Sequence, residues 1–270
     1  MTYLKSLVLT ACVCPIMLNA QNFLTNGDAE SDLDGWTVGQ VELVTENPHD
    51  GKNCFKTITQ AYNLELIPID VTKTYKISGW FKSADDKKTN LYLGIVPYDA
   101  DKKQIQYAFV GVIPGSEAEL AEACKAEDTV LKVKDASKWV INNKINQVAF
   151  GTDNSGAYKD LPNSKLSPVV AKAEKKGNCW EVTLTKPCGL AYPANTTIRL
   201  QTAGGWQYPL IATKFQSPEW KELSGLIKGV STSGAHHTQF WPGTKYVHIL
   251  VFALEGGMLY FDDLKFEAVK

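Results

Sequence analysis

Two short stretches at opposite ends of the 270-residue chain decide its fold. The first is Asn22-Phe23-Leu24-Thr25-Asn26-Gly27-Asp28-Ala29-Glu30, and the second is Gly257-Met258-Leu259-Tyr260-Phe261-Asp262-Asp263-Leu264-Lys265-Phe266. The second alternates apolar and polar residues, which is typical of a β-strand with one buried face. Because Leu264 and Phe266 share a parity with Asp262, we predict that this face is the core face and that Asp262 points inward.

Strand-like runs recur between these ends, separated by clusters of Gly, Asn, Asp and Pro. The chain also holds 7 Trp, 11 Tyr and 10 Phe but only 3 Met, which favours β-structure over a helical bundle. One stretch, Ser116–Ala126, is rich in Ala and Glu and is predicted as a helix. The pattern predicts an all-β jelly-roll sandwich. The predicted strands are Thr74–Phe81, Asn90–Val96, Tyr107–Val112, Thr129–Val133, Trp180–Thr185, Thr196–Gln201, Lys245–Leu254 and Leu259–Phe266.

The middle of the chain differs from its ends. Residues 115–209 contain several short strand-like runs of their own, and a structureless loop of this length is unusual. We therefore predict an inserted small β-rich subdomain at 115–209 and a main sandwich built from 21–114 and 210–270; the alternative is a set of long loops. Near the end of the insert, Trp206 and Tyr208 either wall a cleft or plug a hinge.

The first twenty residues are typical of a secretory signal peptide. Lys5 precedes an apolar run, Leu7–Leu18, and a cut after Ala20 is predicted. An alternative is a lipoprotein cleavage motif ending at Cys12. The run is too short for a membrane span, which needs about 20 apolar residues. We therefore expect a secreted, extracellular protein, with lipid anchoring as the alternative.

Four cysteines follow the leader, and their pairing stays open at this stage. An exported chain with an even number of cysteines is a candidate for oxidation, and four cysteines allow three connectivities. Cys179 and Cys188 could close a local bridge. Cys54 and Cys124 could pair or remain buried thiols.

Charge and motifs argue against several functions. There are 28 Lys and Arg against 29 Asp and Glu, so neither nucleic acid nor an anionic membrane surface is an expected partner. The sequence has no GxSxG, GxGxxG, P-loop or HExxH motif. A polysaccharide lyase would need a basic cluster, and Arg199 is the sole arginine. We predict a protein that is not an enzyme, with a lyase or glycoside hydrolase as the weaker alternative.

The order of motifs resembles carbohydrate-binding modules of families 4, 9, 16 and 22, which have a galactose-binding-domain-like jelly roll. The two end stretches carry this resemblance together with Leu33–Trp36, Tyr75–Lys82 and Trp220–Gly225. It covers residues 22–114 and 210–270, and Ala29 replaces the usual aromatic residue before Glu30. The resemblance implies a non-catalytic domain that binds a polysaccharide or glycan. The alternative is an extracellular module that binds protein or matrix through the insert.

A calcium ion is the expected cofactor. A buried carboxylate such as Asp262 needs a cation or hydrogen-bond donors, and calcium takes oxygen ligands. The resemblance implies a structural calcium held by Glu30 and Asp262, with Asp28 and Asp263 as further candidates. The alternative is that these carboxylates cap backbone amides where the chain ends meet.

Sugar binding requires flat apolar surfaces and nearby polar groups. Parity places Trp80 on the polar face of its strand, and Tyr92 lies outward on the next predicted strand. We predict that both belong to one concave binding face. His248, Gln239 and Trp241 are further candidate ligand contacts.

Overall fold

The computed structural model describes residues 21–37, 39–203, 209–232 and 236–269. The predicted leader, residues 1–20, and the aromatic residues Trp206 and Tyr208 lie outside the described residues.

The described residues form sixteen strands and one short 3-10 helix, with no α-helix among them. The 3-10 helix covers Tyr107–Phe109. The strands are β1 (Glu42–Val44), β2 (Cys54–Thr57), β3 (Gln60–Tyr62), β4 (Ile67–Pro68), β5 (Thr74–Ser83), β6 (Thr89–Tyr98), β7 (Ala118–Glu119), β8 (Val130–Val133), β9 (Asn146–Phe150), β10 (Leu166–Lys176), β11 (Cys179–Leu184), β12 (Thr197–Thr202), β13 (Pro209–Phe215), β14 (Lys221–Lys228), β15 (Tyr246–Leu254) and β16 (Leu259–Val269).

Two antiparallel sheets pack face to face as a sandwich. The β5 sheet has the order β1-β2-β16-β5-β14, and the β6 sheet has the order β13-β6-β15-β3, with β4 also paired to β15. Apolar residues from both sheets form one buried cluster, including Ile77 and Phe81 of the first and Leu93, Ile249 and Val251 of the second. The predicted all-β jelly-roll sandwich is confirmed.

A third sheet, the β12 sheet, is built from residues 118–202. Its order is β7-β12-β9-β10-β11-β8. It has a separate hydrophobic cluster that includes Val148, Phe150, Val182 and Leu200. Strands of the other two sheets come from residues on either side of this segment.

Two predicted elements are wrong. The run Tyr107–Val112 contains a 3-10 helix rather than a strand. The predicted helix at Ser116–Ala126 instead contains β7, which pairs with β12. Leu120 is fully buried in the cluster of the β12 sheet, and its N–H donates to the Thr196 carbonyl. Tertiary pairing therefore overrides the local helix preference of Ala and Glu.

The first described residues are bound to the last strand. The Asn22 side chain donates to the Leu264 carbonyl (3.2 Å) and accepts from the Phe266 N–H (2.9 Å). The Leu264 N–H donates to the Gly27 carbonyl over 2.8 Å. A Cβ atom at Gly27 would lie only 2.1 Å from the Leu264 carbonyl oxygen, so only glycine allows this approach.

A β-bulge in β16 corrects the predicted face of Asp262. Pairing to β5 shifts register between Asp262 and Lys265, and Asp263 has φ of 48°. Consequently Phe261 and Leu264 both face the core. Asp262 is buried as predicted, at 1% exposure, but it lies opposite Trp80 on the outer face of the sheet, where the loop at His49 covers it.

We predict that Gly27→Ala destabilises the protein by about 1–3 kcal/mol, because the new methyl group overlaps the Leu264 carbonyl. Gly225→Ala in β14 is the matched control, since a Cβ there would have its nearest neighbour at 3.4 Å. Urea unfolding measures both free energies. Equal stability of the two variants would contradict the role assigned to Gly27.

Candidate functional site

The outer face of the β6 sheet carries a row of aromatic side chains, which we call the aromatic face. Along β6, Leu91, Leu93 and Ile95 point into the sandwich core, so the alternate residues point outward. Register pairs Tyr92 with Phe252. The aromatic face comprises the half-buried residues Tyr62, Tyr92, Tyr98, Tyr246, His248 and Phe252.

A cleft of about 300 Å³ opens at one end of the aromatic face. The His248 ring lies edge-on to Tyr98, with 5.0 Å between ring centroids and an interplanar angle of 89°. Aromatic rings, two aliphatic side chains and hydroxyl and amide groups thus line the same opening. Its lining residues are Thr37, Tyr62, Asn63, Leu64, Val96, Tyr98, Gln104 and His248.

A buried asparagine fixes one wall of the cleft. Asn63 is 4% exposed, and its side-chain oxygen accepts the Ile249 N–H of β15 over 2.6 Å. Its amide donates to the Glu65 carbonyl, also over 2.6 Å. Leu64, the next residue, is also held in place because its N–H donates to the Gly35 carbonyl. These bonds hold Leu64, which is 58% exposed, at the edge of the cleft.

His248 is a neutral group at neutral pH. Burial lowers its pKa below the usual value, and the backbone groups of Glu65 and Asn63 raise it to a smaller extent. Its Nδ1 is buried without a hydrogen-bond partner among the described residues. The cleft therefore has a polar but uncharged floor.

The segment that follows β6 covers the centre of the aromatic face. Ile105 and Val110 pack with Trp241 on Val96 and Leu250, which project outward from β6 and β15. The Ile105 N–H donates to the Pro97 carbonyl over 2.9 Å and so binds this segment to the end of β6. This cover separates the cleft from the more distant Tyr92 and restricts the size of the opening.

The structure does not place all the predicted ligand contacts at one site. Tyr92 and His248 lie on the aromatic face, although His248 alone lines the cleft. Trp241 is 3% exposed, and its ring centroid lies 5.7 Å from that of Tyr107. It therefore belongs to the cluster that covers the aromatic face. Gln239 lies apart from the cleft, beside a small cavity that it lines with His236 and His237.

Trp80 lies on the other sheet, so the structure does not bring it together with Tyr92. It is half-buried on the outer face of β5 and stacks on His49, with ring centroids 3.9 Å apart and planes 16° apart. Trp220 packs edge-on against the same His49 ring, whose Nδ1 lies 2.9 Å from Asp263 Oδ2. One face of the Trp80 indole is therefore covered by protein.

The proposed calcium ligands bind backbone amides in this structure. One Glu30 oxygen accepts the N–H groups of Lys52 (2.7 Å) and Asn53 (2.8 Å). Asp262 accepts the His49 N–H over 3.0 Å, and burial raises the pKa of its carboxyl to about 6. Asp28 accepts the Glu30 N–H over 3.5 Å.

Both carboxylates therefore have hydrogen-bond donors without a cation. Backbone N–H groups bind one oxygen of Glu30 and both oxygens of Asp262. Among the described residues, no group of three His, Cys, Asp or Glu side chains could hold a metal ion. Calcium binding stays a prediction.

Sequence reasoning missed Tyr62 and Tyr98 as residues of the site. The outward parity of Asn90 and Tyr92 continues through Val96 to Tyr98, so extending the predicted strand by two residues would have found Tyr98. Tyr62 ends a three-residue strand, β3, which is too short for a clear alternating pattern. Its position depends on pairing with Leu250, a contact of long sequence separation.

Comparisons with known proteins agree with the resemblance seen in the sequence. Residues 21–122 match the family described as "Carbohydrate binding domain", which confirms that resemblance over this segment. No curated protein matches the chain. Within the described residues, no helix has the length and apolar character needed to cross a membrane.

Solved structures to which the chain is similar include carbohydrate-binding modules of three families. The CBM22-1 xylan-binding domain of Paenibacillus barcinonensis Xyn10C is 10% identical, with 93% of each chain covered and a TM-score of 0.38. A family 16 carbohydrate binding module-2 is 14% identical, with 92% of this chain and 100% of that chain covered and a TM-score of 0.36. TmCBM61 in complex with β-1,4-galactotriose is 11% identical, with 93% and 100% covered and a TM-score of 0.32.

We predict that His248 makes the protein less stable in acid. Because its pKa is lower in the folded than in the unfolded protein, its stabilising contribution is present above the unfolded pKa of about 6.5 and is lost as pH falls. Unfolding free energies in urea at pH 7 and pH 5 should differ less for His248→Gln than for the wild type. His237→Gln, which removes an exposed imidazole, is the control; equal pH dependence of the two variants would contradict the prediction.

The calcium prediction has a thermal test. If Glu30 and Asp262 hold a structural ion, added calcium must raise the melting temperature and EDTA must lower it, because a ligand of the native state stabilises that state. Glu30→Gln should abolish the change in melting temperature, whereas Glu222→Gln, on strand β14, should keep it. A wild-type melting temperature that neither addition changes would rule out an accessible structural ion.

Proposed function

We propose that this protein binds a glycan non-catalytically, in the cleft of the aromatic face. The observation that carries the proposal is the convergence of Tyr62, Tyr98 and His248 with the amide of Gln104 at a single opening. Aromatic rings suit the C–H faces of pyranose sugars, and hydroxyl and amide groups suit their hydroxyls. The match of residues 21–122 to a carbohydrate-binding family supports the same function.

The cleft favours a short stretch of sugar over an extended chain. Its volume of about 300 Å³ is at the lower end of the range for small-ligand sites. The cover of Ile105, Val110 and Trp241 prevents a chain from continuing across Val96 and Leu250. We infer that the ligand is a neutral oligosaccharide or the end of a neutral polysaccharide, since the chain has a net charge of −1 and His248 is uncharged.

Secretion is part of this proposal. The signal peptide predicted at residues 1–20 would deliver the protein to the polysaccharides outside the cell. The absence of recognised catalytic motifs in the sequence supports binding without cleavage.

We predict that Tyr98→Ala weakens glycan binding by about 5- to 30-fold, because truncating a central aromatic contact costs about 1–2 kcal/mol. Affinity electrophoresis in gels containing neutral polysaccharides, followed by calorimetry with oligosaccharides, measures the change. Trp80→Ala on the opposite sheet is the matched aromatic control and should bind as the wild type does, with melting curves confirming that both variants fold.

Three outcomes would contradict the proposal. Failure of the wild type to bind any glycan on a broad array would contradict the proposed glycan-binding function. Weaker binding by Trp80→Ala together with normal binding by Tyr98→Ala would show that the binding site is on the β5 sheet. Release of reducing ends from the bound polysaccharide would show that the protein is an enzyme.

A further inference from the structure

Two cysteines that are distant in sequence are neighbours in the β12 sheet region. Cys124 is 4% exposed and Cys188 is 3% exposed, and both belong to the same hydrophobic cluster. Backbone hydrogen bonds join the segments that carry them. The bonds run from Cys124 N–H to Tyr192 carbonyl (2.9 Å), Tyr192 N–H to Cys124 carbonyl (3.0 Å), Gly189 N–H to Ala126 carbonyl (2.8 Å) and Cys188 N–H to Asp128 carbonyl (2.8 Å).

The side chains of both cysteines contact the backbone of Leu190. Cys124 Sγ lies 3.9 Å from the Leu190 carbonyl oxygen. The Cys188 thiol contacts the Leu190 backbone as well, and the two cysteine side chains contact each other. Both are free thiols in this structure. The two thiols therefore lie side by side between hydrogen-bonded segments, so a disulfide could join them without bringing distant parts of the chain together.

The other two cysteines lie elsewhere in the fold. Cys179 begins β11, and its Sγ is 3.7 Å from the Lys176 carbonyl at the turn between β10 and β11. The whole of β11 therefore separates it from Cys188. Cys54 is on β2 of the β5 sheet, where its Sγ lies 3.8 Å from the Glu46 carbonyl. The pairings Cys179–Cys188 and Cys54–Cys124, both open from the sequence, do not match these positions.

We propose that Cys124 and Cys188 form a disulfide when the protein folds in the presence of a disulfide oxidant such as oxidised glutathione. One cysteine thiolate attacks the oxidant and releases one reduced glutathione, leaving a mixed disulfide on the protein. The second thiolate then displaces the other glutathione. The two protein thiols together lose two protons and two electrons, and one oxidised glutathione becomes two reduced molecules.

Burial sets the order of folding and oxidation. Desolvation raises the pKa of Cys188, so few thiolates form once the segment has packed. The disulfide therefore forms while the chain folds, and the reduced native protein reacts slowly. Once formed, the bond joins the segments at residues 124 and 188 and restricts the unfolded chain, which stabilises the β12 sheet region.

Peptide mapping without reduction tests the connectivity. The full chain is refolded with a mixture of oxidised and reduced glutathione, free thiols are blocked, and the protein is digested with trypsin. We expect residues 104–125 to be linked to residues 177–199. The second peptide contains both Cys179 and Cys188 because Pro187 follows Lys186 and prevents cleavage there.

Matched variants assign the bond. Cys179→Ser should keep the linked peptide, and Cys188→Ser should lose it. A second readout is thermal: reduction should lower the melting temperature of the wild type and of Cys179→Ser by roughly 10 °C, but should not change that of Cys124→Ser. Free Cys124 in the oxidised, folded wild type, or loss of the link in Cys179→Ser, would overturn the proposal.

Discussion

The attachment of the first residues to β16 is the interaction on which the sandwich depends. β16 lies between β2 and β5 in the β5 sheet, and its residues Phe261, Leu264 and Phe266 fill the core. The Asn22 side chain bonds both Leu264 and Phe266, while Gly27 bonds Leu264 from the other side. Residues 22–27 thus hold β16 in one register, and a one-residue shift would turn the core residues outward.

The bulge in β16 also determines what lies on the outside of the β5 sheet. With Asp262 outward, a buried carboxylate needs donors, and the backbone amides at His49 and Asp50 provide them. The loop that supplies these amides also places the His49 ring on Trp80. The loop that buries Asp262 therefore also covers one face of the Trp80 indole, which favours the β6 sheet as the candidate surface.

Unbroken alternation made the central strands predictable from sequence. Tyr75, Ile77 and Phe81, on the face opposite to Trp80, lie in the core, and Tyr92 lies outward as predicted. Parity predicted the wrong face for Asp262 because no local sequence pattern indicates the β-bulge that follows it. Parity also cannot say which sheet a strand joins, so Trp80 and Tyr92 were predicted on one face although they lie on different sheets. Sheet membership depends on contacts distant in sequence.

The position of the β12 sheet region decides how much of the aromatic face stays open. Arg199 is fully buried and binds Asp160 through two hydrogen bonds of 3.0 and 2.7 Å, which ties β12 to the loop before β10. In that loop the Asn163 N–H donates to the Phe109 carbonyl, and from β12 the Thr202 N–H donates to the Gly111 carbonyl.

These bonds hold the segment that carries Ile105 and Val110 against the β6 sheet, and Gln104 just before it lines the cleft. The strands of the β12 sheet therefore shape the site without supplying any of the residues that line the cleft. They hold in place the cover of Ile105, Val110 and Trp241, which limits the length of the cleft. A sandwich without this cover would expose a longer row of aromatic residues, from Tyr98 to Tyr92. Under the proposed function, the length of the ligand is set by packing outside the strands that line the cleft.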